Sequence, residues 1–352
     1  MRRIPAGMRD TSPTGSPVVR AIRNSTETTI MRRRDALAAG LGFACSFPFT
    51  ARAQGYPDKP IRVLQGFAAG GNADTIARVV GTEMGKTLGQ PFVVEAQTGA
   101  GGTIASGTVA RAKPDGYTLL LATGGHAVAG ALYNKLSYQT VADFECISTI
   151  TFFPFLLVVK ADSPYTSLAD LLKAARAPGA QVSYGTAGIG STHHLAGELL
   201  VKMSGARMLH VPYRGDAASV TALLSGEVPF IIAPPTAVMG NIKAGKMRAI
   251  ATTGPRRWGQ MPELPTVAEQ GVPGYEVTSW AGLMAPAGTS RAIVEPLNAA
   301  VQKALQQPQV RSRLEDMGGE ARGSTPEEMA AMVQSELKKW TVVVNEAQIP
   351  KQ

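Results

Sequence analysis

Ser183-Tyr184-Gly185-Thr186-Ala187-Gly188-Ile189-Gly190-Ser191-Thr192-His193-His194 compresses a strand end, a glycine turn and a helix start into one short stretch. Val182-Ser183-Tyr184 enters as a strand, and Ser191-Thr192 opens a segment, 195–203, whose apolar residues recur at helical spacing. Glycine allows sharp turning and close approach to a ligand. The first turn of the helix leaves N–H groups unpaired at the positive end of the dipole. The combination suits an anion such as a carboxylate. One such loop is also what any strand-to-helix connection needs. A second loop of the same design gives the first its weight. Phe67-Ala68-Ala69-Gly70-Gly71-Asn72-Ala73-Asp74 follows a strand at 61–67 and precedes a helix with Ile76, Val80, Met84 and Leu88 on one face. Asn72 is the expected N-cap of that helix, with Asp74 in its first turn.

Outward from these two loops, strand and helix alternate. Strands are expected at 91–95, 117–122, 207–211, 228–233 and 247–252, the last flanked by helix-like segments. Gly99-Ala100-Gly101-Gly102 precedes a short helix ending near Ala112, and Gly124-Gly125 leads into another near 127–133. Two extended runs, 147–160 and 275–285, are long for single strands and read as crossings between domains. A helix at 167–176 follows the first crossing, and only helices follow the second, at 290–305, 309–317 and 326–346. The expected fold class is α/β: two α/β domains with parallel sheets, joined by two extended crossings, with a ligand cleft between them. The expected division is 54–157 plus 281–352 for one domain and 158–280 for the other, after a leader at 1–53.

The chain has 352 residues, 44% apolar and 17% charged, as a globular protein should. Its net charge of +9 is unevenly placed. Residues 1–53 hold 9 Arg and 3 acids, a net of +6; the rest holds 26 basic against 23 acidic residues, a net of +3. The basic character is a property of the leader, so no nucleic-acid partner is expected. Met31-Arg32-Arg33-Arg34 and the apolar run 36–49 read as an export signal with Ala51-Arg52-Ala53 as the cleavage site, by the Sec or twin-arginine route. Met31 is then the natural start. Of the 2 cysteines, Cys45 falls in the signal, where Gly42 argues against lipidation, and Cys146 reads as a small buried hydrophobe.

Several motifs resemble one family, the Bug-type periplasmic solute-binding proteins of tripartite tricarboxylate transporters. They include Gly70-Gly71-x-x-Asp74-x-x-Ala77-Arg78, Gly99-Ala100-Gly101-Gly102-Thr103-Ile104 and Asp115-Gly116-Tyr117-Thr118-Leu119-Leu120. Further along come Tyr184-Gly185-x-Ala187-Gly188-x-Gly190-Ser191-x-x-His194-Leu195, His210-Val211-Pro212-Tyr213-Arg214-Gly215 and Leu264-Pro265-Thr266-Val267-Ala268-Glu269. The similarity runs in order through residues 56–349. The resemblance implies a type II periplasmic-binding fold that closes on a small carboxylate, without a cofactor, and passes it to a membrane permease as a monomer. The family holds one carboxylate between its two loops, which fall here on Phe67, Ala69, Gly70, Gly71 and Asp74, and on Gly185, Thr186, Ala187, Gly188, Gly190, Ser191, Thr192 and His193. Thr123, Tyr213, Arg214 and Asp216 complete the expected site. Ala69 replaces a usual proline, Ala96-Gln97-Thr98 a usual Asn-Arg-Pro, Asp216 a small neutral residue, and Pro229 a frequent Asp. These departures fall on ligand identity: aromatic acids, citrate-like acids and amino acids all stay open.

Individual side chains carry two readings each. Ser191 and Thr192 donate to a ligand or cap their helix, and both roles are compatible. Asp74 orders its loop in preference to meeting an anion. Asp216 meets an ammonium group or caps the helix at 217–224; Arg214 meets a second carboxylate or stays solvated. His126, His193, His194 and His210 do not suggest a metal, since His193 and His194 point apart and no carboxylate is read beside them at ligand spacing. There is no G-x-S-x-G elbow and no G-x-G-x-x-G, so neither a hydrolase nor a dinucleotide enzyme is expected. A binding protein that docks on a membrane sensor is the alternative to transport.

Overall fold

The computed structural model describes residues 55–352. The expected export signal, its cleavage site and Cys45 lie outside the described residues. β1 (Ile61–Gln65) buries Ile61 and Val63 on the face where α1 (Asn72–Leu88) lays Ile76, Val80 and Met84, and Leu64 in the core on the opposite face. The N-cap of α1 is Gly71, so Asn72 is its first helical residue rather than its cap. β2 (Phe92–Ala96) leads through a 3₁₀ turn at Ala100–Gly102 into α2 (Thr103–Ala110). β3 (Thr118–Thr123) is followed at once by α3 (Gly124–Leu132), whose first turn is the Gly124-Gly125 pair itself. β4 (Phe144–Pro154) and β5 (Leu156–Lys160) make up the first long extended run.

α4 (Leu168–Arg176) starts with a capping box in which Ser167 and Asp170 satisfy each other's backbone N–H. β6 (Val182–Thr186), α5 (Thr192–Ser204), β7 (Met208–Pro212), α6 (Asp216–Ser225), β8 (Phe230–Ala233), α7 (Pro235–Lys243) and β9 (Met247–Thr252) continue the alternation. No helix follows β9: residues 253–277 are turns and bends, broken by Pro255, Pro262, Pro265 and Pro273. β10 (Thr278–Pro286), α8 (Arg291–Gln306), α9 (Pro308–Asp316), the short β11 (Glu320–Ala321) and α10 (Pro326–Glu346) finish the chain. The region after β10 thus holds one strand as well as the three expected helices.

Two sheets result, ordered β11-β4-β10-β3-β1-β2 and β7-β6-β8-β5-β9. The expectation of parallel sheets holds for β2-β1-β3 and β7-β6-β8 only. β10 runs antiparallel to β3 and β4, and β5 runs antiparallel to β8 and β9. The reason is topological: β5 and β10 arrive from the other sheet rather than over a crossover helix, so nothing forces them parallel. α8 and α10 pack on β4, which returns the C-terminal helices to the first sheet.

The two crossings meet at one residue. Phe155 separates β4 from β5, and Val277 immediately precedes β10. Thr253, fully buried, exchanges backbone bonds with both: its N–H donates to the Phe155 carbonyl at 2.9 Å, and Val277 N–H donates to its carbonyl at 2.8 Å. Its hydroxyl accepts from Phe155 N–H at 2.8 Å and donates to the Val277 carbonyl at 2.7 Å.

Candidate functional site

Five of the six parallel strands that lead into a helix deliver the chain to one rim, as open α/β sheets do. The turns β1–α1, β3–α3, β6–α5, β7–α6 and β8–α7 all line a single cleft of 570 Å³. The N-caps of these helices are Gly71, Thr123, Ser191, Gly215 and Pro234. Only Ser191 caps its own helix with a side chain; the other four make no such bond. Four helix N-termini therefore keep their first-turn N–H groups free of a side-chain partner, each carrying about half a positive charge. The arrangement is an anion site made mostly of backbone.

The first loop is held from behind. Gln65, fully buried, accepts from Phe67 N–H at 2.8 Å and donates to its carbonyl at 2.9 Å. Asp74 accepts from Gly70 N–H at 3.0 Å and from the Arg78 guanidinium at 2.8 and 3.0 Å. Arg78 holds its carboxyl below the usual range, with the Gly70 bond adding to the effect. Asp74 thus orders the loop and does not line the cleft, whereas Phe67, Ala69, Gly70 and Gly71 do.

In the second loop Ser191 Oγ donates to the Gly188 carbonyl at 2.6 Å and accepts from His194 N–H at 3.2 Å. Ser191, Thr192 and His193 line the cleft, as do Thr123, Arg214 and Asp216. Gly185, Thr186, Ala187, Gly188, Gly190 and Tyr213 are not among the residues that line this cleft. Gly185 is a β6 residue packed against the Tyr213 ring, and the Tyr213 hydroxyl is turned to Glu227 at 2.8 Å. Thr186 Oγ1 accepts from Gly188 N–H at 3.2 Å and shares a 2.6 Å bond with His210 Nε2.

Below this loop His194 stacks on His210 at 4.2 Å, and Tyr184 donates to Glu198 at 2.7 Å. His194, Glu198 and His210 bring ligand-type atoms within 4.8 Å of one another. The carboxylate missed in the sequence is Glu198, one helical turn after His194. The two rings are tilted by only 23°, so their in-plane lone pairs run side by side rather than converge on one ion. The group reads as a wedge that supports the Gly188 turn. Burial pushes His194 down to about 4 and His210 down to about 3, so both are neutral near pH 7.

His193 faces the cleft, edge-on to Phe155 at 4.3 Å, and burial pushes it down to about 3. Its Nε2 lies 3.8 Å from Oδ1 of Asp216. Asp216 is the first residue of α6 and not its cap, which is Gly215. Burial pushes its carboxyl up to about 7.

A third glycine loop also reaches the β6–α5 loop. A Cβ on Gly101 (φ 64°) would lie 2.9 Å from the Gly190 carbonyl, and one on Gly124 would lie 2.8 Å from Thr192 Oγ1. Glycine at 101 and 124 is what lets the 3₁₀ turn and the start of α3 touch the β6–α5 loop. Sequence reasoning also missed Phe153, Phe155, Thr236, Ser279 and Arg313 as cleft residues. Phe153-Pro154-Phe155 carried a signal, being aromatic residues in the crossing; Thr236 and Arg313 carried none.

The description "Tripartite tricarboxylate transporter family receptor" matches residues 76–349. The chain belongs to this family. Its relatives include a protein of Pseudomonas sp. (strain P51) from the tcbD-tcbE intergenic region, 38% identical over 90% of this chain and 95% of the relative. The periplasmic binding protein BugD superposes with a TM-score of 0.78 at 35% identity, over 84% of this chain and 100% of BugD. A protein of R. palustris solved with adipate gives 0.79 at 35% identity, over 84% and 100%. The receptor is accordingly a Bug-type periplasmic binding protein of the two-domain α/β class, and a solute receptor rather than an enzyme. Among the described residues of the receptor, no helix is long and apolar enough to cross a membrane.

Proposed function

We propose that this receptor is exported by a cleavable signal at 31–53, through the Sec or twin-arginine route, and captures a small carboxylate between two closing lobes. The lobes are 54–157 plus 281–352 and 158–280, hinged where the crossings meet. One observation carries the reading: five helix N-termini share one cleft, and four of them lack a side-chain cap. One ligand carboxylate sits between Phe67–Ala73 and Ser191–His193, taking backbone N–H donors from both sides. A ligand that touches both loops favours the closed state by its differential affinity. The related structure with adipate supports a carboxylate as the solute. The loaded receptor then hands the solute to a permease of the tripartite type.

The test is calorimetry of the mature protein against a panel of mono-, di- and tricarboxylates. Binding of at least one acid is expected, weakened in Ser191→Ala and Gly188→Ala. Ser191→Ala removes both the cap and the tie to Gly188, costing about 1 kcal/mol of helix stability in addition to affinity. If the wild type takes no acid, or both variants bind like the wild type, the carboxylate reading is wrong.

A further inference from the structure

We propose that capture is proton-linked: Asp216 binds one proton as a carboxylate enters the cleft and gives it up when the carboxylate leaves. The inference rests on the capture reading above and adds the proton to what the receptor takes up. Asp216 lines the cleft at the start of α6, with its Oδ1 buried and without a partner. Buried polar atoms are as a rule hydrogen-bonded, and each exception calls for a physical account. A carboxylate left bare in the wall of an anion site is such an exception.

No neighbour neutralises it. On α5, His193 Nε2 stands 3.8 Å away and the ring is neutral near pH 7. Arg214, two residues earlier, and Arg313 and Asp316 of α9 line the same cleft, but all three are exposed, and among the described residues none forms an ion pair with Asp216. Asp74 is tied to Arg78, and the Tyr213 hydroxyl to Glu227. The elements packed on α6 bring no charge to its start. β8 has no titratable residue, and β6 has only Tyr184, whose hydroxyl donates to Glu198. Lys243 falls in the last turn of α7, and Lys160 ends β5, four residues past the Leu156 that pairs with Ala233.

A solute carboxylate held by the N–H groups of Ser191–His193 brings its charge beside this one. A single negative charge at these helix N-termini is favourable. Two carboxylates side by side are not, and such a pair resolves the conflict by holding a proton between them. Neutral Asp216 then has an O–H to donate to a solute oxygen. Burial alone already pushes the carboxyl up to about 7, so an added anion carries it past neutral pH. The receptor therefore fills best below pH 7 and lets go as the medium turns alkaline.

Calorimetry of the mature protein with L-malate, succinate, adipate and benzoate, run in HEPES and in Tris at pH 8, reads the proton directly. Uptake of about half a proton or more per bound solute is expected. From pH 6.5 to pH 8.5, where these acids stay ionised, Kd should rise about tenfold or more. Asp216→Asn, with Asp216→Ser alongside it, should flatten that rise to less than about threefold and abolish the uptake, with thermal melts verifying that the variants fold. Binding without proton uptake, a Kd flat with pH, or a slope that persists in both variants overturns the linkage and leaves the capture reading intact. Silence from every acid overturns both.

Discussion

At the residue scale, Asp216 has a consequence for stability without any ligand. Its carboxyl titrates near 7 in the fold because burial disfavours the charge, against about 3.9 in an unfolded chain. A group whose folded value is raised contributes stability below its unfolded value and loses it as pH rises through the folded one. Asp216→Asn, neutral throughout, should therefore melt higher than the wild type at pH 8 and equally at pH 4. A gain of at least about 2 °C is expected for a shift of about 1 kcal/mol in a chain of this size. Melting curves of the two proteins at both pH values check this; an equal difference at pH 4 and pH 8 refutes it. The identity of Asp216 was visible in the sequence, yet its lack of a partner was not. That depends on where α5 places His193, which no local pattern encodes.

At the element scale, the local patterns in the chain were informative. The apolar rows of α1 and α10, the glycine turns before α1 and α5, and the length of the two extended runs all foretold elements that are present. What failed was non-local. Strand direction in β5 and β10 follows from which sheet the chain comes from, and the cap of α6 follows from a Gly215 backbone at φ 90°. Thr253 offered no signal at all, being one threonine in a turn. It binds both crossings, so Thr253→Val leaves the Phe155 N–H short of its donor bond and the Val277 carbonyl short of an acceptor bond. Loss of about 2–4 kcal/mol is expected, two buried groups at the usual penalty each. Chemical denaturation measures it, and a loss below 1 kcal/mol would mean water replaces the hydroxyl. Gly66→Ala is a second test, because its Cβ would fall 2.3 Å from Gly102 Cα, a backbone atom that side-chain motion cannot relieve. Overpacking of this kind costs about 1–3 kcal/mol.

At the scale of the whole molecule, three of the four histidines are buried, His210 is half-buried, and all four are neutral. His126 shows how this is arranged: its Nε2 donates to the Thr140 carbonyl at 2.8 Å, Nδ1 meets Ser106 at 3.1 Å, and burial pushes it down to about 4. With His193, His194 and His210 at about 3 to 4, the unfolded chain takes up protons between pH 6.5 and 4 that the fold refuses. Stability from depressed histidines is present above pH 6.5 and is lost as pH falls. The loss is about 1 kcal/mol per histidine by pH 5.5. Asp216 acts in the opposite sense, but it is one group against four. Melting temperature should therefore fall steadily from pH 7 to pH 5, and a flat profile would mean these rings are hydrated.

The proposed closure would turn on the junction at Thr253, which is bonded to both crossings. Two ribbons of chain fastened at a single bolt behave as a door hinge, free to swing about one axis and stiff against sliding or twisting. Open and shut forms of the proposed lobes would then differ by one angle, which a pair of fluorescent labels on opposite lips would report as a single distance. Solutes of different shape would all be enclosed along the same arc. A partner that must tell a full receptor from an empty one has a single coordinate to read.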